Sequence, residues 1–156
     1  MKGKWYIMRG VVQRVKGASV SVENRIIGEI EKGILLLLGV EEDDEEKDLE
    51  YMADKVPNLR IFEDENGKMN KSLADENGEL LVISQFTLLG DARKGRRPSF
   101  IRAAAPDKAV PMYESFISKI KEKGITVQCG EFGASMQVEL INDGPVTILL
   151  DSKKKF

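Results

Sequence analysis

Histidine is missing altogether from these 156 residues, and cysteine and tryptophan occur once each. Without histidine there is no Ser-His-Asp or Cys-His catalysis, no His-ligated zinc and no ordinary general base near neutral pH. A single cysteine, Cys129, excludes an internal disulfide and fits a reducing cytosol. It reads as a small buried hydrophobe in a strand, not as a reactive thiol. No stretch approaches the ~18 continuous apolar residues of a membrane span. Only Trp5, Tyr6 and Ile7 separate Lys4 from Met8, too few for the apolar core of a signal peptide. A cytoplasmic location is therefore expected, with residues 1–7 a leader and Met8 an alternative start. Neither charge sign dominates: 24 basic and 26 acidic residues give −2, which argues against a protein that coats nucleic acid indiscriminately. No cofactor and no metal are expected. Any chemistry falls to carboxylates, lysines, hydroxyls, backbone amides or the substrate itself.

What is present is the composition of one globular domain, 42% hydrophobic and 32% charged. Ala18, Val20 and Val22 alternate with polar residues, which predicts strands at 9–15 and 18–22, with 26–30 returning as a hairpin arm. Residues 34–40 are apolar on both faces, as in a central strand. Leu49, Met52, Ala53 and Val56 predict a helix over 41–56. Its acidic start, Glu41 to Glu46, reads as a solvated helix N-terminus, and Pro57 as its stop. A strand is expected at 59–62, and Asp-Glu-Asn-Gly at 64–67 and again at 75–78 reads as two turns. A strand is expected at 79–88. Tyr113, Phe116, Ile117 and Ile120 predict a second helix over 106–123, stopped by Gly124. Strands at 126–130, 135–141 and 146–150 complete an α+β or mixed α/β domain of β-hairpins and mixed sheets with two helices.

Two segments are candidates for chemistry. Ser84, Gln85, Phe86 and Thr87 lie where a strand becomes a loop, with Val82 and Phe86 expected on one face and Ile83 and Thr87 on the other. A sheet holds such a strand end rigid while amides beyond the last rung stay free for a ligand. Asn142 to Val146, with Gly144 and Pro145, reads alone as a turn between strands. A basic cluster, Arg93, Lys94, Arg96 and Arg97, surrounds Gly95, and Lys153 to Lys155 form a basic tail. Each is a candidate phosphate contact; a solvated loop and a frayed tail are the plainer readings.

Taken together, residues 8–15, 59–70 (LRIFEDENGKMN), 82–100 (VISQFTLLGDARKGRRPSF), 132–138 (FGASMQV) and 140–148 (LINDGPVTI) resemble the D-aminoacyl-tRNA deacylase family in order and spacing. Leu89 departs from the family, where tyrosine is frequent at that place. The resemblance covers residues 8–152, with 1–7 a leader and 153–156 a basic tail. It implies a barrel-like core with two helices packed outside, and a two-fold homodimer with its sites at the subunit interface. In that arrangement one subunit supplies Ser84, Gln85, Phe86 and Thr87. Its partner inserts Gly144 and Pro145, joined by a cis bond in the family. Arg14 matches the arginine that holds this Gly-Pro element, and Met136 a pocket wall.

The implied reaction is hydrolysis of the ester between a D-amino acid and tRNA. Handedness needs three fixed contacts about the α-carbon. Main chain that engages the ammonium group and blocks an L side chain supplies them for any side chain. Glycine offers nothing to block, so glycyl-tRNA is an expected substrate. Amides near Phe86 and Thr87 are the natural oxyanion donors. Thr87 as nucleophile has no visible base, so a ribose hydroxyl of the substrate that orients or activates water is preferred. The rival readings are a non-catalytic RNA-binding module and a general esterase.

Overall fold

The computed structural model describes residues 8–154; the expectations for residues 1–7 and for the last two residues of the tail lie outside them. Strand β1 runs unbroken from Arg9 to Val22, where two strands were expected. Along one edge it pairs antiparallel with β8 (Gln137–Asp151). Its other edge takes β3 (Gly33–Gly39) over Arg9 to Val15 and β2 (Arg25–Ile30) over Ala18 to Val22. The partner changes around Lys16 and Gly17, so one edge of the strand serves two partners. Parallel to β3 lies β6 (Glu79–Ser84), and parallel to β6 lies β7 (Val127–Cys129). The mixed sheet curls until β2 meets β7: a Cβ added at Gly28 would stand 3.0 Å from the carbonyl oxygen of Cys129. This is the barrel-like core. Cys129 sits half-buried at the end of β7, less enclosed than expected.

The curl explains why the central strands are apolar on both faces. Ile34, Leu36, Leu38, Leu80 and Val82 face the helices in the larger core. Leu35, Leu81 and Ile83 face inward with Val15, Ala18, Val20 and Ile30. Burial of each such side chain contributes roughly 1.5–3 kcal/mol before conformational entropy is counted.

Helix α1 spans Glu46–Asn58, five residues later than expected at its start. The Asp44 carboxylate accepts the Glu41 N–H at 2.7 Å while the Asp44 N–H donates to Glu41 O at 3.1 Å, which makes a turn of residues 41–44. Pro57 is inside the last helical turn and does not stop it; the Asn58 side-chain amide closes that turn on Asp54 O at 2.7 Å. The expected stripe, Leu49, Met52, Ala53 and Val56, is buried. The acidic run is not solvated as a whole, because Glu41, Asp44 and Asp48 are also buried. They spend their carboxylates on local N–H groups and on Arg102, Ser152 and Lys153.

Residues 59–63 yield only the short β4 (Phe62–Glu63), paired with β5 (Met69–Lys71) around the first Asp-Glu-Asn-Gly turn. Helix α2, Pro106–Glu122, begins on a proline and buries Tyr113, Phe116, Ile117 and Ile120, as the pattern predicts. Gly124, at φ +84°, takes the left-handed turn that ends it. The tail is tied down as far as it is described. Lys153 pairs with Asp48 at 3.4 Å and Lys154 lies over the Tyr51 ring.

Candidate active site

Strand β6 ends at Ser84, and Gln85 makes the last rung by donating its N–H to Leu38 O at 2.9 Å. The chain then closes into a 3-10 turn, Phe86–Leu89, where a strand to Leu88 was expected. The turn corrects the facing of the side chains. Phe86 does not lie with Val82; its ring is 56% exposed while Val82 is fully buried. At the start of such a turn the Phe86 and Thr87 N–H groups have no partner within it. The Gln85 side-chain amide donates to Thr87 Oγ1 at 3.0 Å, fixing both polar groups. Among the described residues no ionisable side chain hydrogen-bonds to Thr87.

This strand end opens on a cavity of about 210 Å³. Ser84, Gln85, Phe86 and Thr87 line one side, Tyr113 and Ala109 of α2 another, and Phe132, Ala134 and Met136 a third. Met136 lines the cavity, and Gly130 makes room for it: a Cβ there would stand 2.6 Å from Met136 Sδ. The Tyr113 hydroxyl donates to Val82 O at 2.7 Å. Burial pushes its phenol well above the usual range, so it remains a neutral donor that clamps α2 to β6. A larger depression of about 1040 Å³, between β1, β2 and β8, is lined by none of the candidate residues. The candidate residues Ser84, Gln85, Phe86, Thr87 and Met136 all line the smaller cavity.

Two residues that periodicity does not single out hold the 3-10 turn. Arg9 Nη1 donates to Leu88 O at 2.8 Å across 79 residues of sequence. Gly39 lies against the turn: a Cβ would stand 2.6 Å from Leu89 Cδ2, 3.0 Å from Gln85 O and 3.1 Å from Leu88 Cβ. The only signal for Gly39 was a glycine closing an apolar strand, a frequent mark of close backbone approach. Gly39→Ala therefore shifts the turn. The expected result is a loss of about tenfold in kcat/KM with a cost of ~1–3 kcal/mol in stability, read by kinetics and thermal melting. Unchanged kinetics would show that the turn's position is irrelevant.

Gly144 and Pro145 do not line this cavity in their own chain. They are not a turn between two strands either, because β8 is continuous. Opposite β1 the register passes from Gln13 with Thr147 to Val15 with Asn142, so residues 143–146 bulge out across from Arg14. Asn142 bridges the bulge: its Oδ1 accepts the Val146 N–H at 2.7 Å and its Nδ2 donates to Val146 O at 3.1 Å. Arg14, buried, donates Nε to Asp143 O and Nη1 to Ile61 O, both at 2.8 Å. Gly144 has φ +149° and the Gly144–Pro145 bond is cis, as the resemblance implies.

The family profile described as D-Tyr-tRNA(Tyr) deacylase matches residues 11–151. The chain belongs to this family. It is 61% identical over 149 residues to a D-aminoacyl-tRNA deacylase of Thermosipho africanus, covering 96% of this chain and all of that one. One from Clostridioides difficile is 62% identical over 149 residues with the same coverage. A solved structure described as a c-Myc DNA Unwinding Element Binding Protein is 45% identical, with a TM-score of 0.86 over 92% of this chain and 97% of that one.

The basic cluster forms a loop of its own, exposed from Arg93 to Ser99. Reciprocal hydrogen bonds between Asp91 and Ser99, at 2.8 and 2.9 Å, close its base. Arg93 is engaged there: its side chain meets Asp91 at 2.9 and 2.8 Å and, with its backbone N–H, holds the Asp91 carboxyl down to about 2. Among the described residues, Lys94, Arg96 and Arg97 make no such pairing.

Proposed function

We propose that the chain hydrolyses the ester of D-aminoacyl-tRNA, and of glycyl-tRNA, in a homodimer whose sites are shared between subunits. The feature that carries this is the 3-10 turn Phe86–Leu89, which begins beside the mostly apolar cavity and whose first two N–H groups have no partner within the turn. A carbonyl oxygen placed at those N–H groups gains ~3 kcal/mol per donor as it becomes an oxyanion. The turn alone does not sense handedness. That role is assigned to Gly144 and Pro145 of a second copy, held out by Arg14 and Asn142. Two features support a second copy. The bulge does not line the cavity of its own subunit, and Ile141 and Leu149 beside it on β8 are 64% and 52% exposed. A tRNA substrate and a lone half-buried thiol fit the cytoplasm. No helix among the described residues is long and apolar enough to cross a membrane.

The chirality test is direct. D-tyrosyl-tRNA and glycyl-tRNA are expected to be deacylated at least about a hundredfold faster than L-tyrosyl-tRNA. Equal D and L rates would remove the chiral reading, and binding without hydrolysis would make the protein an RNA-binding module. Equal activity on free D-amino acid esters would make it a general esterase.

Shared sites are tested by mixing two impaired chains. Arg14→Met damages the bulge and Gly39→Ala the turn. In a mixed dimer one site then carries both lesions and the other neither, so activity recovers to about half that of the wild type per mixed dimer. Sites confined to one subunit give no recovery.

For the hydrolytic step we assign the water to a ribose hydroxyl of the substrate, because Thr87 Oγ1 already accepts from Gln85 and meets no base. Thr87→Ala is expected to retain activity within about tenfold. A loss near a thousandfold with tRNA binding intact identifies Thr87 as the nucleophile.

A further inference from the structure

The rim of the cavity leads outward into the basic loop through an aromatic step. Phe86, at the rim, packs edge-on against Phe100, with centroids 5.2 Å apart and planes at 72°. Both rings stay partly open, Phe100 at 37% and Phe86 at 56% exposure. Gly90 keeps Phe100 close: a Cβ there would stand 2.9 Å from Phe100 Cε1. Phe100 directly follows Ser99, whose two bonds to Asp91 anchor the basic loop. The order from the cavity is thus aromatic, aromatic, cationic. Neither ring is needed for the core, and three cations on the loop lack partners among the described residues.

Open aromatic faces next to unpaired cations are the two components of a single-strand nucleic-acid site. The amino acid of an aminoacyl-tRNA is carried on an unpaired 3′ end. Its ester must enter the cavity, the nucleotides before the terminal adenosine must cross the rim, and phosphates must follow.

We infer that Phe100, propped on Phe86, is a stacking platform for the unpaired nucleotides preceding the terminal adenosine, and that Lys94, Arg96 and Arg97 receive the phosphates beyond. Arg93 is excluded, since Asp91 takes its guanidinium; its work is to hold the loop. This inference rests on the deacylase reading for the direction of the strand. It adds to that reading which residues recognise the nucleic acid outside the reacting atoms.

The experiment compares D-tyrosyl-tRNA with the D-tyrosyl ester of adenosine alone, which fills the cavity but has no preceding nucleotide. Phe100→Ala and Phe100→Leu are expected to raise KM for the tRNA roughly tenfold or more, while turnover of the adenosine ester changes less than about twofold. Phe100→Trp keeps the platform and restores the tRNA value. Equal losses on both substrates overturn the platform, because Phe100 then only positions Phe86. Replacing Lys94, Arg96 and Arg97 together with Gln is expected to weaken binding of uncharged tRNA and to lower the salt slope, in log Kd against log salt, by about 2–3. An unchanged slope overturns the phosphate assignment. If the wild type cleaves neither ester, the deacylase reading fails; the affinity of the same variants for uncharged tRNA still decides the track, which is overturned if they bind as the wild type does.

Discussion

Replacing Arg14 with Met lowers the melting temperature by roughly 6–24 °C and kcat/KM by about a hundredfold or more. The side chain is buried and its guanidinium donates to two carbonyls in different segments, Asp143 and Ile61. Hydrogen bonds from a charged donor are worth ~1.5–3 kcal/mol each, and a domain of this size loses ~2–4 °C per kcal/mol. Met keeps the stem and its packing, so the effect reports the guanidinium. Without it, Asp143 O has no donor and the bulge carrying Gly144 and Pro145 is no longer fixed against β1. On the proposed role of the bulge, activity is expected to fall further than stability accounts for, because loosening a group that positions the reacting carbon costs ~3 kcal/mol of barrier. Lys restores the charge but offers a point donor in place of a fork, and is expected to recover only part of either quantity. Arg60→Met is the control: its Nε donates to Asn70 O at 3.1 Å in an exposed setting, so it is expected to move stability by less than ~0.5 kcal/mol. If Arg14→Met melts and turns over like the wild type, the bulge does not depend on its anchor.

Asp44→Asn stabilises the protein at pH 8 and leaves it unchanged at pH 4. Burial pushes the Asp44 carboxyl up to about 7; the Glu41 N–H opposes this, the neighbouring Asp48 and Glu41 carboxylates add to it, and Lys108 offsets part. The unfolded chain titrates this group near 3.8. Between those two values the folded state holds a proton that the unfolded state has released. Stability therefore falls as pH rises from about 4 to about 7, and is flat on either side as far as this group is concerned. The full shift corresponds to ~4 kcal/mol, so we expect a gain on the order of 2–4 kcal/mol for the amide at pH 8. Asn still accepts the Glu41 N–H, so the turn survives. Melting curves of both proteins across this range decide it; a pH-independent difference would mean that the charge at Asp44 is not what burial penalises.

Both helix stripes were legible because a 3.6-residue period needs only local sequence. The polar segment from Ser84 to Thr87 stood out for a similar reason, since it interrupts an apolar run, but the strand was expected to continue to Leu88 and ends at Ser84. The 3-10 turn was not legible, because what forces it is distant: Gly39 leaves the space and Arg9 ties down Leu88 from another strand. The same holds for Asp44. Its acidic neighbours suggest a solvated start to a helix, and nothing nearby reveals that residues 102–104 fold back onto 40–42. Pro145 misled in the opposite direction. A proline inside a paired strand normally argues against that strand, yet β8 continues past it by expelling four residues opposite Arg14. The role proposed for Gly144 and Pro145 came only from the family resemblance.

The bulge also limits what β8 offers to other chains. At 15 residues it is one residue longer than β1, and among the described strands it pairs only on the β1 side. A flat edge of that length is a template on which strands from other copies can add and stack into fibres. Interrupted at residues 143–146, it presents two runs of about half a dozen rungs, out of step with one another. A growing stack would have to reproduce the kink in every layer, so the segment held by Arg14 also discourages polymerisation.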